Sequence, residues 1–269
     1  MLILTTVLPR PKNILLSKKD SMRRHVSKLF IDSRYTLPDG SFVVPGEQIL
    51  IRPETRIWLG EFTCVASWDT IEAGVNDTLV VHELGTPRTI TIPSGPHDLE
   101  SLRVALETEL NGAGKALGMG TYTVTRVSTG TGGSTFRSFR VACDAGVFSL
   151  PTSTNALRDI VSWPTGDSAQ ASHTSGFVDV RRVHSIYLHC DFGNHNAVGP
   201  TGVRGLLAKV PVLTGYGGLV HHTSSGGEHD FIESGSHSLS TFKISLHDAA
   251  GRLLDLKGTS WSATMVFDR

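Results

Sequence analysis

The chain has 269 residues, of which 39% are hydrophobic and 19% charged, and its formal net charge is +0. A chain of this length can bury one sizeable core, and its hydrophobic content excludes disorder along its whole length. Its 28 glycines and 12 prolines favour many short strands and turns and argue against a helical bundle.

The first 30 residues form a basic segment that the net charge conceals. They hold seven basic residues against one acidic residue, Asp20, a net +6, which leaves 18 basic and 24 acidic residues, a net −6, in residues 31–269. A basic arm on a mildly acidic body predicts a polyanion or an acidic neighbouring subunit as partner; the alternative is a solvated tail. The predicted contact residues are Arg10, Lys12, Lys18, Lys19, Arg23 and Arg24.

Two features predict a soluble protein that is made inside a cell. The apolar start, residues 1–8 (MLILTTVL), has no basic flank ahead of it and ends at Pro9, so it fits neither a signal peptide nor a membrane span. It could instead add an edge strand to a neighbouring subunit. The cysteines are odd in number and each lies in an apolar alternating run, which predicts buried free thiols in a reducing compartment: Cys64, Cys143 and Cys190.

From residue 41 onward, polar and apolar residues alternate with the period of β-strands. About ten short runs of this kind, separated by turn residues, predict an antiparallel sandwich or barrel. In the run 56–71, strict alternation puts Trp58 on the same face as Phe62 and Cys64. The predicted core consists of the inward-facing residues of the clearest runs: Trp58, Phe62, Ile186, Leu188, Phe192, Phe242, Ile244, Leu246, Met265 and Phe267.

Two segments predict helices. In Asp98–Leu110, four leucines recur at helical spacing, Asp98 can cap the first turn, and Asn111-Gly112 can close the last. We expect this helix to lie on a sheet or to close one end of the sandwich. The shorter segment Asn155–Ser162 begins with a capping asparagine and is stopped by Pro164.

Residues with catalytic or metal-binding chemistry are present, but their spacing indicates no site. The pair His221-His222 and the triplet Glu228-His229-Asp230 are separated by a loop, which does not fix the ligand directions that zinc requires. The strand histidines His189 and His247 fit ordinary surface or interface positions. The chain also lacks a G-x-S-x-G motif, and its cysteines lie in apolar runs where a thiolate is unfavourable. We therefore predict no enzyme activity, no metal and no cofactor.

A set of segments occurs in a particular order along the chain: Ser33–Tyr35, Thr89–Gly95 with the helix that follows, Phe139–Leu150, Asn155–Trp163, Ser185–Asp191, Leu206–Val212, Phe242–Leu246 and Leu254–Phe267. In this order they resemble the penton-type minor capsid protein of polinton-like viruses, virophages and related double-stranded DNA viruses of the double jelly-roll lineage. The resemblance runs over about residues 29–269. It depends on the order of the segments, because each one alone recurs in unrelated sandwiches.

The resemblance implies a single jelly roll that stands upright at the five-fold vertex of an icosahedral shell. It also implies a homopentamer among double jelly-roll major capsid proteins. The sequence lacks an Arg-Gly-Asp motif and indicates no long insertion loop of the kind in the adenovirus penton base, so integrin attachment is not implied. The chain is too short for the major capsid protein itself, which needs two sandwiches.

The sequence thus predicts an all-β, jelly-roll β-sandwich with one or two short helices and an extended basic N-terminal arm. We assign residues 1–30 to the arm and residues 31–269 to the jelly-roll capsid domain. The predicted function is the pentameric capsid vertex of a virion assembled inside the host cell, with no membrane span and with an arm that reaches packaged DNA or other minor capsid proteins. Two alternatives remain open: a jelly-roll spike module that binds a receptor or glycan, and an enzyme on a cupin-like barrel.

Overall fold

The structure, a computed structural model, describes residues 26–37, 39–44, 49–53, 55–127, 137–151, 156–163, 168–192, 198–224, 231–233 and 237–268. These residues form antiparallel strands, one α-helix, α1 (Leu99–Leu110), and two 3-10 helices, Ser33–Tyr35 and Ala156–Asp159. The strands are β1 (Val26–Asp32), β2 (Ser41–Val43), β3 (Ile49–Ile51), β4 (Arg56–Val65), β5 (Thr78–Glu83), β6 (Thr86–Thr91), β7 (Tyr122–Val127), β8 (Ser138–Cys143), β9 (Phe148–Ser149), β10 (Ser172–Thr174), β11 (Ser185–Cys190), β12 (Leu206–Pro211), β13 (Leu219–Thr223), β14 (Ile232–Glu233), β15 (His237–Leu239), β16 (Thr241–His247) and β17 (Trp261–Asp268). The predicted all-β class is confirmed.

Two facing sheets form a jelly roll from both ends of the chain. The first sheet has the order β1-β17-β4-β13, with β14 also paired to β4, and the second has the order β12-β11-β16-β2. Along the chain these strands cross repeatedly from one sheet to the other, and all their pairings are antiparallel, as in jelly rolls. β1 begins at Val26, so residues 26–30, which we assigned to the arm, belong to the first sheet.

The core between these two sheets contains nine of the ten predicted residues: Phe62, Ile186, Leu188, Phe192, Phe242, Ile244, Leu246, Met265 and Phe267. Trp58 is the exception, because it is half-buried and points to the outer face. Thr264 pairs with Glu61 and Met265 with Leu59, so Gly60 is an extra, bulged residue in β4. A bulge reverses which side chains face inward, and strict alternation was therefore wrong for Trp58.

A second core lies in the connection between β4 and β11, residues 66–184. The sheets β6-β5-β9 and β10-β8-β7 form it together with α1. Its buried residues include Leu79, Val81, Ile92, Leu102, Leu106, Leu110, Tyr122, Val141, Phe148 and Val178. This second core was not predicted from the sequence, for which we considered only a long insertion loop of the adenovirus kind. We call residues 66–184 the insertion.

The predicted helix Asp98–Leu110 is confirmed. The Asp98 carboxylate accepts a hydrogen bond from the backbone N–H of Ser101 at 2.7 Å, and Ser101 completes a capping box. Three of its leucines are fully buried: Leu102, Leu106 and Leu110. The second predicted helix is only the 3-10 turn Ala156–Asp159, and Asn155 and Pro164 lie outside the described residues. No helix in the described part of the chain is long and apolar enough to cross a membrane.

Candidate assembly surface

A groove opens beside the edge strands of both jelly-roll sheets. Among the described strands, β1 pairs only with β17, and β2 pairs only with β16. The groove has a volume of about 540 Å³. It is lined by Leu29, Phe30, Ile31, Asp32, Tyr35, Phe42, Val43, Glu61, Phe242, Ser262, Ala263 and Thr264.

The floor of the groove is part of the hydrophobic core. The rings of Phe42 and Phe242 are stacked with their centroids 5.4 Å apart, and Phe42 meets Trp261 edge-on at 5.5 Å. β2 has only three residues, whereas β1 has seven, so the short strand cannot close the side of the sandwich along the full length of β1. Core side chains are therefore reached from the groove.

The rim of the groove carries exposed apolar side chains on fixed backbone. Phe30 is 77% exposed, Tyr35 is 78% exposed and Val43 is 52% exposed. The backbone at Tyr35 is held because the carboxylate of Asp32 accepts hydrogen bonds from the backbone and guanidinium of Arg34, at 3.0 and 2.6 Å. Exposed aromatic side chains that are presented this way are typical of contact surfaces between proteins.

Two carboxylates line the groove, and one of them is paired with an arginine. The hydrogen bond from the Arg34 side chain lowers the pKa of Asp32 to about 2, so this carboxylate stays ionised at neutral pH. Glu61 supplies a second carboxylate with a half-exposed side chain. Because Arg34 already pairs with Asp32, Glu61 is the carboxylate of the groove that remains for a basic partner.

Arg182 joins the jelly roll to the insertion. Its Nη1 lies 2.5 Å from Glu72 Oε2 and 3.8 Å from Asp248 Oδ2, and its Nε donates to the carbonyl oxygen of Asp69 at 3.2 Å. Only 9% of the Arg182 side chain is exposed. Asp248 follows β16, whereas Asp69 and Glu72 open the insertion, so one buried cation connects the two cores.

The far end of the insertion is held by a buried polar network. Glu83, 1% exposed, accepts hydrogen bonds at Oε1 from Arg88 Nη2 (2.7 Å) and the Tyr122 hydroxyl (3.0 Å), and at Oε2 from the Ala116 N–H (2.8 Å). Arg88 also donates to the carbonyl oxygen of Leu110 at the end of α1. Burial and Glu83 together raise the pKa of Tyr122, which keeps its hydroxyl protonated as a donor. Each member is engaged in holding the fold.

Exposed apolar side chains also occur at this end of the insertion. Leu84 is 60% exposed and adopts a φ of 50°, and Leu117 is 97% exposed. A leucine at positive φ is strained, because the left-handed region favours glycine. Ala116 is hydrogen-bonded to Glu83, so the two leucines belong to the same tip.

The predicted arm residues cannot be placed. All six lie in residues 1–25, outside the described part of the chain: Arg10, Lys12, Lys18, Lys19, Arg23 and Arg24.

The groove was not predicted from the sequence, although one residue in β1 signals it. In β1, Leu29 and Ile31 both face the core. Phe30 lies between them, at a position where alternation calls for a polar residue.

Only part of the histidine-rich loop that we considered as a metal site lies within the described residues. His221 is exposed, with Nδ1 3.2 Å from Thr63 Oγ1 and 4.0 Å from Glu61 Oε1, while residues 228–230 lie outside the described ranges. No three histidine, cysteine, aspartate or glutamate side chains of the described residues are grouped to hold a metal ion. His189 and His247 contact each other on the outer face of the second sheet, with ring centroids 4.7 Å apart.

All three cysteines are buried and free, as predicted: Cys64, Cys143 and Cys190. Burial raises the pKa values of Cys64 and Cys190 to about 12, so neither is a thiolate at neutral pH. The side chains at these positions pack in the two cores and do not line the groove.

Comparison with known proteins identifies a structural neighbour. No family model and no curated protein sequence matches the chain. The crystal structure of the mavirus penton protein superimposes with a TM-score of 0.57 at 10% sequence identity. The match covers 91% of this chain and 99% of that chain. Because the insertion occupies residues 66–184, neither core alone can account for such coverage, so the shared fold extends over both. The predicted jelly roll with a penton-like fold is confirmed.

Proposed function

We propose that this chain is a structural capsid protein that forms the vertex, or penton, of an icosahedral virus shell as a ring of five copies. The observation that carries the proposal is the fold shared with the mavirus penton protein over 91% of the chain, through the jelly roll and the insertion alike. Sequence identity of 10% makes this an argument from architecture, and the surface of the chain has to support it independently.

The surface supports assembly in two ways. Exposed aromatic residues surround an apolar groove at the open side of the sandwich, where a protein neighbour could bury them. The contacts of Glu83 with Tyr122 and of Arg182 with Glu72 stabilise the fold and lie away from the groove. Subunits of a closed ring contact one another through two different patches, which demands surfaces of this kind rather than one deep cleft.

Copies of this chain would occupy the five-fold positions of a virion among double jelly-roll major capsid proteins. The basic arm of residues 1–25 would lie under the shell and contact packaged DNA or other minor capsid proteins. Contacts to phosphates would weaken steeply with salt, because each neutralised phosphate releases counterions.

The test is the oligomeric state of the purified full chain. Mass photometry at near-physiological salt should give a species of five chains, and negative-stain electron microscopy should give five-fold rings. Monomers or trimers would contradict the proposal and would favour a jelly-roll spike module that binds a receptor or glycan. Measurement at 0.1 and 0.5 M NaCl separates specific rings from aggregation through the basic arm, because only the latter dissolves with salt.

A control for the arm follows from the start of β1 at Val26. Deletion of residues 1–25 keeps this strand, whereas a deletion that continues to residue 28 removes part of its pairing with β17. The matched variant changes only the six predicted contact residues to glutamine. We expect this variant to lose salt-sensitive DNA binding and to keep the fold; unchanged DNA binding would contradict the proposed role of the basic residues.

A further inference from the structure

We infer that the groove beside β1 and β2 binds the apolar segment Leu2–Leu8 of a neighbouring copy, which adds a strand along the edge of β1 that faces away from β17. The inference rests on the proposed function, because it needs several copies side by side. It assigns a partner to the groove and a role to the apolar start of the chain.

The edge of β1 is suited to accept a strand. β1 pairs with β17 on one side and with no described strand on the other, although it has seven residues and Phe30 stands exposed on it. From Leu29 to Asp32 this edge borders the groove, where its backbone N–H and C=O groups can pair with a further strand, and folded proteins cover such edges. A strand added here would pair with β1 and cover the stacked rings of Phe42 and Phe242.

The segment Leu2–Leu8 matches this edge in length and character. It has seven residues, as many as β1, and it ends at Pro9, which has no N–H to continue a ladder. As a strand it would span roughly 23 Å. Alternation would place Leu2, Leu4 and Leu8, together with Thr6, on one face, towards the apolar groove. Ile3, Thr5 and Val7 would lie on the other.

Charge orients the segment. Arg10 and Lys12 follow it directly. The carboxylate of Asp32 is already paired with Arg34, whereas Glu61 brings a half-exposed carboxylate to the groove. An apolar strand followed by cations therefore complements an apolar groove that carries an exposed carboxylate.

The connector favours a neighbouring copy over the same chain. A hairpin back onto β1 would need a loop of only two to about five residues. Residues 9–25 form a much longer connector that carries six basic residues and one acidic residue. Like charges extend a linker, and 17 residues can span up to roughly 55 Å. Such a connector can reach the next subunit of a ring.

Disulfide trapping tests the inference in the full chain. Leu4→Cys is combined with Val43→Cys, which stands 52% exposed at the groove. The control combines Leu4→Cys with Lys209→Cys, an exposed position of β12 in the second sheet. Cys64 and Cys190, with pKa values raised to about 12 by burial, should stay unreacted under mild oxidation.

We expect the first pair to give covalent multimers of up to five chains on a non-reducing gel, at least tenfold more than the control pair. A crosslink confined to single chains, or equal yields from both pairs, would overturn the inference. Mass photometry on the same samples separates the two hypotheses. Rings without crosslinks between copies refute only the strand exchange, whereas the absence of rings refutes the proposed function.

A second measurement avoids introduced cysteines. Leu4→Asn puts an amide on the groove face of the added strand, whereas Thr5→Asn changes the opposite face. Subunit exchange between two differently labelled ring preparations should become at least tenfold faster with Leu4→Asn and stay within twofold with Thr5→Asn. Equal rates for the two variants would show that the segment does not bind as a strand.

Discussion

The jelly roll and the insertion reach a packed core by different routes. In the jelly roll, β17 near the end of the chain pairs with β1 and β4, so residues from opposite ends of the sequence meet. In the insertion, β5 pairs with β6 and β7 with β8, which are neighbours along the chain. Local pairings close small loops at low entropic cost, whereas distant ones close long loops.

The two regions also differ in how they end at the surface. The insertion closes its far end with Glu83, whose two carboxylate oxygens accept three hydrogen bonds. The jelly roll keeps an open side where core rings line a groove. This difference indicates that the insertion completes its core within one chain, whereas core rings of the jelly roll are reached from solvent at the groove.

The largest expected effect is at Phe62 in the jelly-roll core. Phe62 is fully buried, and its ring packs 6.0 Å from that of Trp261. Phe62→Ala should lower the free energy of unfolding by about 3–5 kcal/mol, because it removes buried ring area and leaves a cavity. Urea unfolding followed by tryptophan fluorescence measures the loss. Leu253→Ala, at a site that is 68% exposed, is the control and should stay within about 0.5 kcal/mol. Equal effects at the two sites would refute the assigned core.

Glu83 tests whether the insertion depends on its own polar network. In Glu83→Gln the side chain keeps its shape, but the new NH₂ group would face a donor, since both carboxylate oxygens accept hydrogen bonds. We expect a loss of about 2 kcal/mol. Glu100→Gln, which breaks a half-exposed pair with Arg103, should cost less than about 0.5 kcal/mol. A neutral Glu83→Gln would show that the network is dispensable.

Gly60 tests the bulge that displaces Trp58 from the core. A Cβ atom at Gly60 would lie 2.8 Å from Cγ2 of Val266 on the neighbouring strand. Gly60→Ala should therefore cost about 1–3 kcal/mol through overpacking. Gly215→Ala is the matched control, because its Cβ would meet no atom within 4 Å. If both variants unfold at the same urea concentration, the close approach of β4 and β17 is wrong.

The sequence predicted the elements better than their grouping. Helix Asp98–Leu110 and the strands at Ile186, Phe242 and Met265 were predicted from periodicity and capping, which are local properties. The insertion was not recognised, because its strands alternate in the same way as those of the jelly roll, and alternation does not tell which strands share a core. Trp58 failed for a similar reason, since a bulge is a matter of register between strands.

The groove could not be predicted from the sequence for a further reason. It depends on β2 having three residues, and the alternation that begins at residue 41 does not show where this strand ends. The edge positions of β1 and β2 follow from pairings with β17 and β16, at distant points of the sequence. Only the exposed Phe30 carried a signal in the sequence itself.

The smallest expected effects distinguish the two cores most directly. Cys64 and Cys190 lie in the jelly-roll core and Cys143 lies in the insertion core, so the three thiols report on different regions. In denaturant, a thiol reagent should label three groups per chain, and a native disulfide would contradict the reducing compartment. Under native conditions each thiol should react only when its own core opens.

Two conservative variants perturb the cores one at a time. Ile92→Val in the insertion and Ile186→Val in the jelly roll each remove one buried methylene and should cost about 1 kcal/mol. Because 1 kcal/mol changes an opening equilibrium about fivefold, Ile92→Val should speed native labelling of Cys143 about fivefold and leave Cys64 and Cys190 within twofold. Ile186→Val should do the reverse. Mass spectrometry of labelled peptides gives the three rates separately. If either variant accelerates all three thiols equally, the two cores open as one unit, and the insertion is not complete by itself.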